Sequence, residues 1–271
     1  MNFQGKVPLG KSGLFVSRMG IGCSYGIDTA SLEESFHRGI NYFYFGTLRR
    51  AAMARAVQNL SPLYRDKLVV AIQSYSRWAG VLRKSVESAL KKLRLEYADI
   101  LILGKFDGPL SQQMMEEALR IKESGRTRHV IVSAHRRTVF REHLARGMFD
   151  AIMVRYSAAH TGAEKDVFPL LPLNDRPGVV CYTATRWGTL LQGTPGEQKP
   201  SASDCYRFVL SNPAVDLCLC GPKNRAELLE AFQTLESSPM NEEELAWMRR
   251  VGAVIYQRKH HNFILRKLIF D

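Results

Sequence analysis

The chain has 271 residues, 45% hydrophobic and 24% charged, and a net charge of +12. Those values are ordinary for a soluble globular protein, and the length suits one α/β barrel. No run approaches the roughly 20 apolar residues that cross a bilayer, so stable membrane insertion is not expected. In chain order, Met1–Gly10 has neither an apolar core nor a small-residue cleavage site, so no secretory signal is expected there. Short β-rich apolar runs then recur at Met19–Gly22, Tyr42–Phe45, Leu68–Gln73, Ile100–Leu103, His129–Ser133, Ala151–Arg155, Val179–Tyr182 and Leu217–Leu219. Successive runs begin roughly 20 to 40 residues apart, room for one strand, one helix and two loops.

Helical periodicity fills the intervals. Leu82, Val86, Ala89, Leu90 and Leu93 fall on one face, and Met115, Ala118, Leu119 and Lys122 on another. Near-continuous apolar strands indicate a parallel sheet buried on both faces, either a barrel or a doubly wound sheet. The one long loop-like stretch, Gln192–Ser203, falls between a strand and the next helix, where barrels carry functional loops. Helices follow at Arg225–Thr234 and, beyond a break at Ser237–Pro239, at Glu242–Gln257. Asn241 is placed to cap the latter, and three glutamates follow it at the positive helix end. No linker divides the chain, so residues 1–271 are expected to form one domain, with 258–271 as a basic tail. That tail mixes Arg258, Lys259, His260, His261, Arg266 and Lys267 with apolar residues. It reads either as a helix folded back on the barrel or as an amphipathic segment for a membrane or partner.

The five cysteines, Cys23, Cys181, Cys205, Cys218 and Cys220, show no Cys-x-x-Cys spacing. Free thiols near a core, no metal site and a reducing, cytoplasmic location are expected. The lysines and arginines are spread over most helices. Such a surface is either evenly solvated or suited to an anionic small molecule. No nucleic-acid motif accompanies the charge, so no nucleic-acid partner is expected beyond weak, salt-sensitive binding.

Several segments together resemble the aldo-keto reductase superfamily. Pro8–Gly22 (PLGKSGLFVSRMGIG) is similar to its N-terminal hairpin and first barrel strand, and Gly39–Gly46 (GINYFYFG) to its second strand. Leu82–Leu103 resembles its third helix and fourth strand, Ile121–His135 its fourth helix and fifth strand, and Cys218–Phe232 its cofactor-binding end. The match runs in order from about residue 7 to 256. The resemblance implies a (β/α)8 TIM barrel with an N-terminal β-hairpin and an extra C-terminal helix, NAD(P)-dependent oxidoreductase chemistry, and a small-molecule substrate at the C-terminal strand ends.

In that family a tyrosine donates a proton to the reacting carbonyl oxygen. A lysine and an aspartate lower the tyrosine pKa, and a histidine orients the carbonyl. Position by position, the aspartate is replaced here by Tyr44, the tyrosine by Arg49, the lysine by Gln73 and the histidine by Gly104. All four depart, which resembles a divergent branch lacking the tetrad. The cofactor side departs less. Ser133 stands where the family contacts the nicotinamide amide, and Tyr182 where an aromatic ring stacks on it. Gly188, Thr189 and Leu190 resemble the pyrophosphate loop. Gly221, Lys223 and Asn224 sit at the eighth-strand turn, where N–H groups and a cation hold a phosphate. Glu230 matches an adenine contact, although the residue after it is Ala231. The resemblance thus implies NADP or NAD, with Lys223 favouring NADP.

Substitute polar groups stand at the strand ends: Arg155, Tyr156, His160 and Glu164 after the sixth, and Thr183, Thr185, Arg186 and Trp187 after the seventh. Arg155 and His160 join Tyr44, Arg49 and Gln73 as candidate catalytic residues. Each also has a plainer reading, Arg155 as an ion-pair residue, His160 as a loop histidine, Trp187 as packing, and Arg49 with Arg50 as a solvated pair. Collectively, cations at one barrel face suit an anionic substrate or cofactor. Tyr44 is a proton donor in this scheme if Arg49 lowers its pKa. The alternative is a barrel that has lost reductase chemistry and acts as a binding or regulatory protein, or as a lyase or isomerase.

Overall fold

The computed structural model describes residues 2–46 and 48–270, without the side chains of 259–270. The side chains that would decide the role of the basic tail therefore lie outside the described residues. An antiparallel hairpin, β1 (Lys6–Pro8) and β2 (Phe15–Ser17), precedes eight parallel strands. These are β3 (Met19–Gly22), β4 (Tyr42–Phe45), β5 (Val69–Ser74), β6 (Ala98–Leu103), β7 (Thr127–Ala134), β8 (Ala151–Arg155), β9 (Gly178–Tyr182) and β10 (Leu217–Cys220). They pair in chain order, and β10 closes on β3 to complete the barrel. All eight strands fall on the apolar runs read from the sequence, and the closed order selects the barrel over the doubly wound sheet.

The helices are α1 (Thr29–His37), α2 (Ala51–Tyr64), α3 (Ala79–Leu93), α4 (Gln112–Glu123), α5 (Phe140–Ala145), α6 (Ala163–Asp166), α7 (Ala202–Leu210), α8 (Arg225–Glu236) and α9 (Glu242–Phe270). The α3 face is the expected one, with Leu82, Val86, Ala89, Leu90 and Leu93 all buried. The α4 face is not. Met114, Ala118 and Ile121 turn inward, together with Glu117, while Leu119 is 38% exposed. Adjacent methionines at 114 and 115 let the same period fit two faces. The true one also carries a carboxylate, bound by Arg83 at 2.6 Å, which disguises it as polar. Asn241 does cap α9, accepting from the Glu244 N–H at 2.9 Å while the Glu244 carboxylate accepts from the Asn241 N–H.

Two apolar shells hold the barrel. Inside it, Ala71, Ile100, Ile102, Ile131, Met153 and Val180 interdigitate, and Leu9 and Val16 from the hairpin pack beneath them. Between strands and helices lies the larger shell, which takes the alternate strand residues, such as Val70, Leu101, Val132 and Cys181. This strict alternation decides what reaches the mouth. The inward series on each strand ends at Tyr44, Gln73, Gly104, Ser133, Arg155 and Tyr182.

The opposite end is fastened by side chains that receive alternate strands. Asn41 accepts from the Ser17 N–H at 2.8 Å, and Asp99 from the Val70 N–H at 2.8 Å. Asp150 accepts from the Val130 N–H at 3.0 Å, and Asp216 from the Val179 N–H at 2.8 Å. Arg65 pairs with Asp99, Lys122 with Asp150 and Arg176 with Asp216, so neither the buried Asp99 and Asp216 nor the half-buried Asp150 is uncompensated. All five cysteines are free and buried. Among the described residues no helix is long and apolar enough to cross a membrane.

Burial alone would raise the Asp150 pKa, but the His129 ring, the Val130 N–H and Lys122 hold it down at about 2, below the ordinary 3.8. A depressed carboxylate stabilises the fold fully above its unfolded pKa and loses that contribution as pH falls through the folded value. Here the loss lies between about pH 4 and about pH 2 and amounts to about 2 kcal/mol. Asp150→Asn is expected to lower stability near neutral pH by about that amount and to flatten the decline across that window. Urea unfolding at a series of pH values measures both, and an unchanged acid slope would contradict the assignment.

Candidate active site

The inward residues at the C-terminal strand ends form one polar layer over the apolar barrel interior. Its first half is where the resemblance places the catalytic tetrad. The Tyr44 phenol donates a short hydrogen bond to Gln73 Oε1 across neighbouring strands. A Cβ added at Gly104 would stand 2.5 Å from Gln73 Nε2 and 2.9 Å from the Tyr75 ring. The space a side chain would fill at position 104 is thus taken by the Gln73 amide and the Tyr75 ring, with the Ser74 carbonyl at 3.0 Å. Gly22 and Gly46 flank the Tyr44 ring in the same way, at 3.1 and 2.8 Å from their would-be Cβ atoms. The residues of this half are thus packed in a coordinated way.

Arg49 does not act on Tyr44. It sits in a left-handed turn (φ 45°), and its guanidinium donates to the Tyr25 carbonyl at 3.2 Å. Burial, and after it the neighbouring Tyr75 phenol, pushes the Tyr44 pKa well above 10. The expectation that Arg49 lowers that pKa is therefore overturned. Tyr44 is a neutral phenol, fitted to hold and orient Gln73 and unsuited to surrender a proton easily. The Gln73 amide hydrogens remain the donors of this half, lying over Gly104.

In the second half, Ser133 Oγ accepts the Lys105 N–H at 2.9 Å, and the Ser133 carbonyl accepts the Phe106 N–H at 2.8 Å. Those two bonds fold the β6 loop onto β7 and leave the Ser133 O–H free to donate upward. Asp107 completes the clamp, accepting from the N–H groups of His135 and Arg136 at 2.5 and 2.8 Å. Burial and the charges of Arg155 and Lys105 hold His135 below its ordinary range against the pull of Asp107, so its ring is neutral near pH 7. Tyr182 stands beside it, ring centroids 6.2 Å apart, and donates to the Ala134 carbonyl at 3.3 Å. Burial raises the Tyr182 pKa, so it too is a neutral phenol.

Arg155 ends β8 opposite Tyr182 in register and faces the mouth. Among the described residues no carboxylate pairs with it, so its ion-pair reading does not apply. Tyr156, one residue on, points the other way. It is 1% exposed, donates to Glu164 at 2.5 Å, and Arg249 of α9 grips the same carboxylate at 2.9 and 3.0 Å. Tyr156 and Glu164 are thus pegs for α9. His160 lies in a loop closed by its backbone bond to Ser157 at 2.8 Å, and its ring meets Tyr256 of α9 edge-on at 5.7 Å. It is placed at the rim, apart from the Tyr44–Gln73 pair. Trp187 is 53% exposed, half covered and half open to solvent.

The residues read as cofactor contacts divide into two groups. Gly188 takes a left-handed conformation (φ 81°) in the tight turn after β9, and Leu190 is fully buried beneath it. Gly221 lies against the Tyr25 ring, whose nearest atom would be 2.8 Å from a Cβ there. Lys223 reaches into solvent with its Nζ 3.8 Å from Glu227. Asn224 is occupied in capping α8, accepting from the Glu227 N–H at 3.0 Å. Glu230 accepts the Ala202 N–H at 2.8 Å and so fastens the start of α7. For a nicotinamide dinucleotide, Ser133, Tyr182 and the 183–188 turn fit the nicotinamide and phosphate end. At the adenosine end Lys223 remains available, while Asn224 and Glu230 are already engaged.

Sequence reasoning missed the Asp107 clamp, although the turn-forming Asp107–Gly108 pair after a strand was its signal. It also missed Tyr25, for which no local signal exists. Two clefts of about 350 and 380 Å³ lie at the N-terminal strand ends, one beside Phe3 and Arg38 and one beside Lys11 and Arg141. They are remote from the polar layer, and the chemistry there is sparse.

No family model matches the chain. It is similar to the L-galactose dehydrogenase of Arabidopsis thaliana, 24% identical over 88% of this chain and 91% of that protein. It is also similar to an uncharacterized oxidoreductase of Bacillus subtilis, 22% identical over 89% of this chain and 94% of that protein. Among solved structures, an aldo-keto reductase from Bacillus halodurans matches in holo and apo forms with TM-scores of 0.76 and 0.75. Each match is 22% identical and covers 91% of this chain and 95% of that one. The fold is therefore the aldo-keto reductase barrel. The curated relatives it resembles are both oxidoreductases by name, in keeping with that fold.

Gly104→Ala tests the coordinated packing. The new methyl group displaces the Gln73 amide, at an expected cost of about 1–3 kcal/mol, typical of overpacking. Thermal melting should fall by a few degrees, and Gly104→Ala should cost less in a Gln73→Ala background than in the native chain, because only the Tyr75 ring and the Ser74 carbonyl then crowd the methyl group. A neutral single substitution would show that the amide does not occupy that space.

Proposed function

We propose that the chain is an NAD(P)-dependent oxidoreductase of the aldo-keto reductase type, acting on a small anionic carbonyl compound or alcohol with a rearranged polar site. The observation that carries this reading is the inward layer itself, in which the nicotinamide-side pair Ser133 and Tyr182 faces the Tyr44–Gln73 pair across one barrel mouth. When bound, the cofactor would supply or accept a hydride. Ser133 would donate to the carboxamide, Tyr182 would offer its ring, and the turn at Gly188 would receive the phosphates. Lys223 supports NADP over NAD, because an exposed cation suits a 2′-phosphate.

The rest of the chemistry belongs to the chain's own side chains. A carbonyl oxygen that gains negative charge needs donors aimed at it. Gln73 offers two amide hydrogens, held in place by Tyr44, and Arg155 adds a positive charge from the far side of the layer. This arrangement stabilises the oxygen by hydrogen bonding and field, without the acidified tyrosine of the family. A neutral sugar, as in the name of the Arabidopsis relative, would leave that field without a counter-charge. The free, buried thiols support a reducing, cytoplasmic location.

Titration of the full chain with NADPH and NADH, followed by tryptophan fluorescence at the exposed Trp187, tests the cofactor. Saturable quenching below millimolar concentration is expected, tighter for NADPH, and no response to either cofactor would overturn the reading. In turnover, Gln73→Ala is expected to lose about 10²–10³ in rate, as when an oxyanion donor is removed. Tyr44→Phe should lose about tenfold, as a positioning residue, and the wild-type rate should show no Tyr44 inflection below about pH 10. A second reading, a barrel that binds ligands or serves as a lyase or isomerase, is favoured by the sealed space over Gly104. Reduction of aldehydes or ketones at ordinary rates counts against it.

A further inference from the structure

A carbonyl oxygen that gains negative charge must also gain a proton before the alcohol leaves. Gln73 and Arg155 stabilise that charge, but an amide and a guanidinium do not surrender a hydrogen in water. Three phenols stand at the same mouth. Tyr44 spends its one hydrogen on Gln73 Oε1, and Tyr182 spends its own on the Ala134 carbonyl at 3.3 Å. Tyr75 is the third, and at 47% exposed it is the one open to solvent. That matters because a donor that works repeatedly has to recover its proton from water.

The position of Tyr75 follows from the strand. Val69, Ala71 and Gln73 face the barrel axis, and Tyr75 is the next residue of that alternation, just past the end of β5 at Ser74. Its ring comes to lie above the mouth beside the Gln73 amide. A Cβ added at Gly104 would stand 2.9 Å from Tyr75 Cδ1 and 2.5 Å from Gln73 Nε2, so ring and amide share one space over that glycine. The segment that carries Tyr75 is held on both sides. The Gly104 N–H donates to the Ser74 carbonyl at 2.8 Å, and the Ser76 N–H donates to Ser74 Oγ at 3.2 Å. Arg77 donates to the Tyr75 carbonyl at 3.1 Å and to the Lys105 carbonyl at 2.8 Å, with its guanidinium 4.2 Å from the centre of the Phe106 ring. The β5 and β6 loops are thereby joined, and Tyr75 is a fixed residue of the site. Its phenol is also within electrostatic reach of both halves of the layer. Burial is the main reason that Tyr44 and Tyr182 resist ionisation, and Tyr75 adds to it at each of them.

We propose that Tyr75 is the proton donor of the reaction, delivering its phenolic hydrogen to the carbonyl oxygen that the Gln73 amide holds. This deepens the proposed function and rests on its oxidoreductase reading. The carbonyl carbon accepts a hydride, with both its electrons, from the reduced nicotinamide. The π pair of the C=O bond moves to oxygen, and that oxygen takes the Tyr75 proton. The O–H bonding pair stays on the Tyr75 oxygen, and water at the open face returns a proton to it. The carbonyl is reduced to an alcohol and the nicotinamide is oxidised. In the reverse direction the same oxygen removes the proton of the alcohol. Tyr44 is then a positioning residue for Gln73, and Tyr75 is the catalytic phenol.

The test compares the full chain with Tyr75→Phe, which keeps the ring over Gly104 and removes only the hydroxyl. NADPH binding is read by fluorescence and folding by thermal melting, and both are expected to match the native chain. Reduction is assayed on 4-carboxybenzaldehyde and 4-carboxyacetophenone. Turnover by Tyr75→Phe is expected to fall by about 10²–10⁴, the usual share of a general acid, and to fall further than in Tyr44→Phe. A readout without turnover is calorimetric binding of 4-carboxybenzamide, an unreactive carbonyl analogue, which should weaken about tenfold when one hydrogen-bond donor is lost. Unchanged turnover in Tyr75→Phe, or a smaller loss than in Tyr44→Phe, would overturn the assignment. So would analogue binding that is absent or indifferent to the substitution, or NADPH binding with neither carbonyl reduced. Failure of the native chain to bind NADPH is the separate result that removes the oxidoreductase reading, and the donor role falls with it.

Discussion

The structure depends on the register of a closed parallel barrel, and that register is fastened by polar side chains at its N-terminal end. Asp99, Asp150 and Asp216 each accept a backbone N–H from the preceding strand and each pair with a cation, and Asn41 plays the corresponding part at the hairpin. In a parallel ladder a slip of one residue would exchange the interior and exterior faces of a strand. It would drive Gln73 and Arg155 into the helix layer and Ile72 and Val154 into the mouth. Pinning alternate strands at one end therefore fixes which side chains appear at the other. The division of labour is the usual one for this architecture, stability below and chemistry above.

What appears above is a site whose parts are fitted to one another. The Gln73 amide lies over Gly104, and Gln73 is in turn aligned by the Tyr44 phenol. Burial drives the Tyr44 pKa upward, so this pair works by hydrogen bonding and not by ionisation. Positive charge enters the layer from the other side, where Arg155 ends β8 opposite Tyr182.

Much of this was legible in the residues. The eight apolar runs gave the strands because a strand buried on both faces has to be apolar throughout. The α3 face followed from its period, and the α9 cap from Asn241. The α4 face was not legible, since Met114 and Met115 fit the period equally and the buried Glu117 is stabilised only by Arg83 on another helix. The cofactor positions were legible as places but not as states. Asn224 is engaged in capping its own helix α8, a local role open to sequence reading, whereas Glu230 fastens the start of α7, which requires knowing that α7 and α8 lie side by side.

The sequence by itself determined the architecture and the order of the elements. These are properties of local pattern and of residue identity at strand ends, and they survive without coordinates. Only the tertiary structure decided that Arg49 turns away from Tyr44 toward the Tyr25 carbonyl, that the Gln73 amide lies over Gly104, and that Arg186 is buried against Tyr256. Each of those facts depends on which atoms from distant strands meet, and on the solvent their meeting excludes. A charge read along the chain carries only its sign. Its partner, its burial and hence its chemistry are set when the barrel closes.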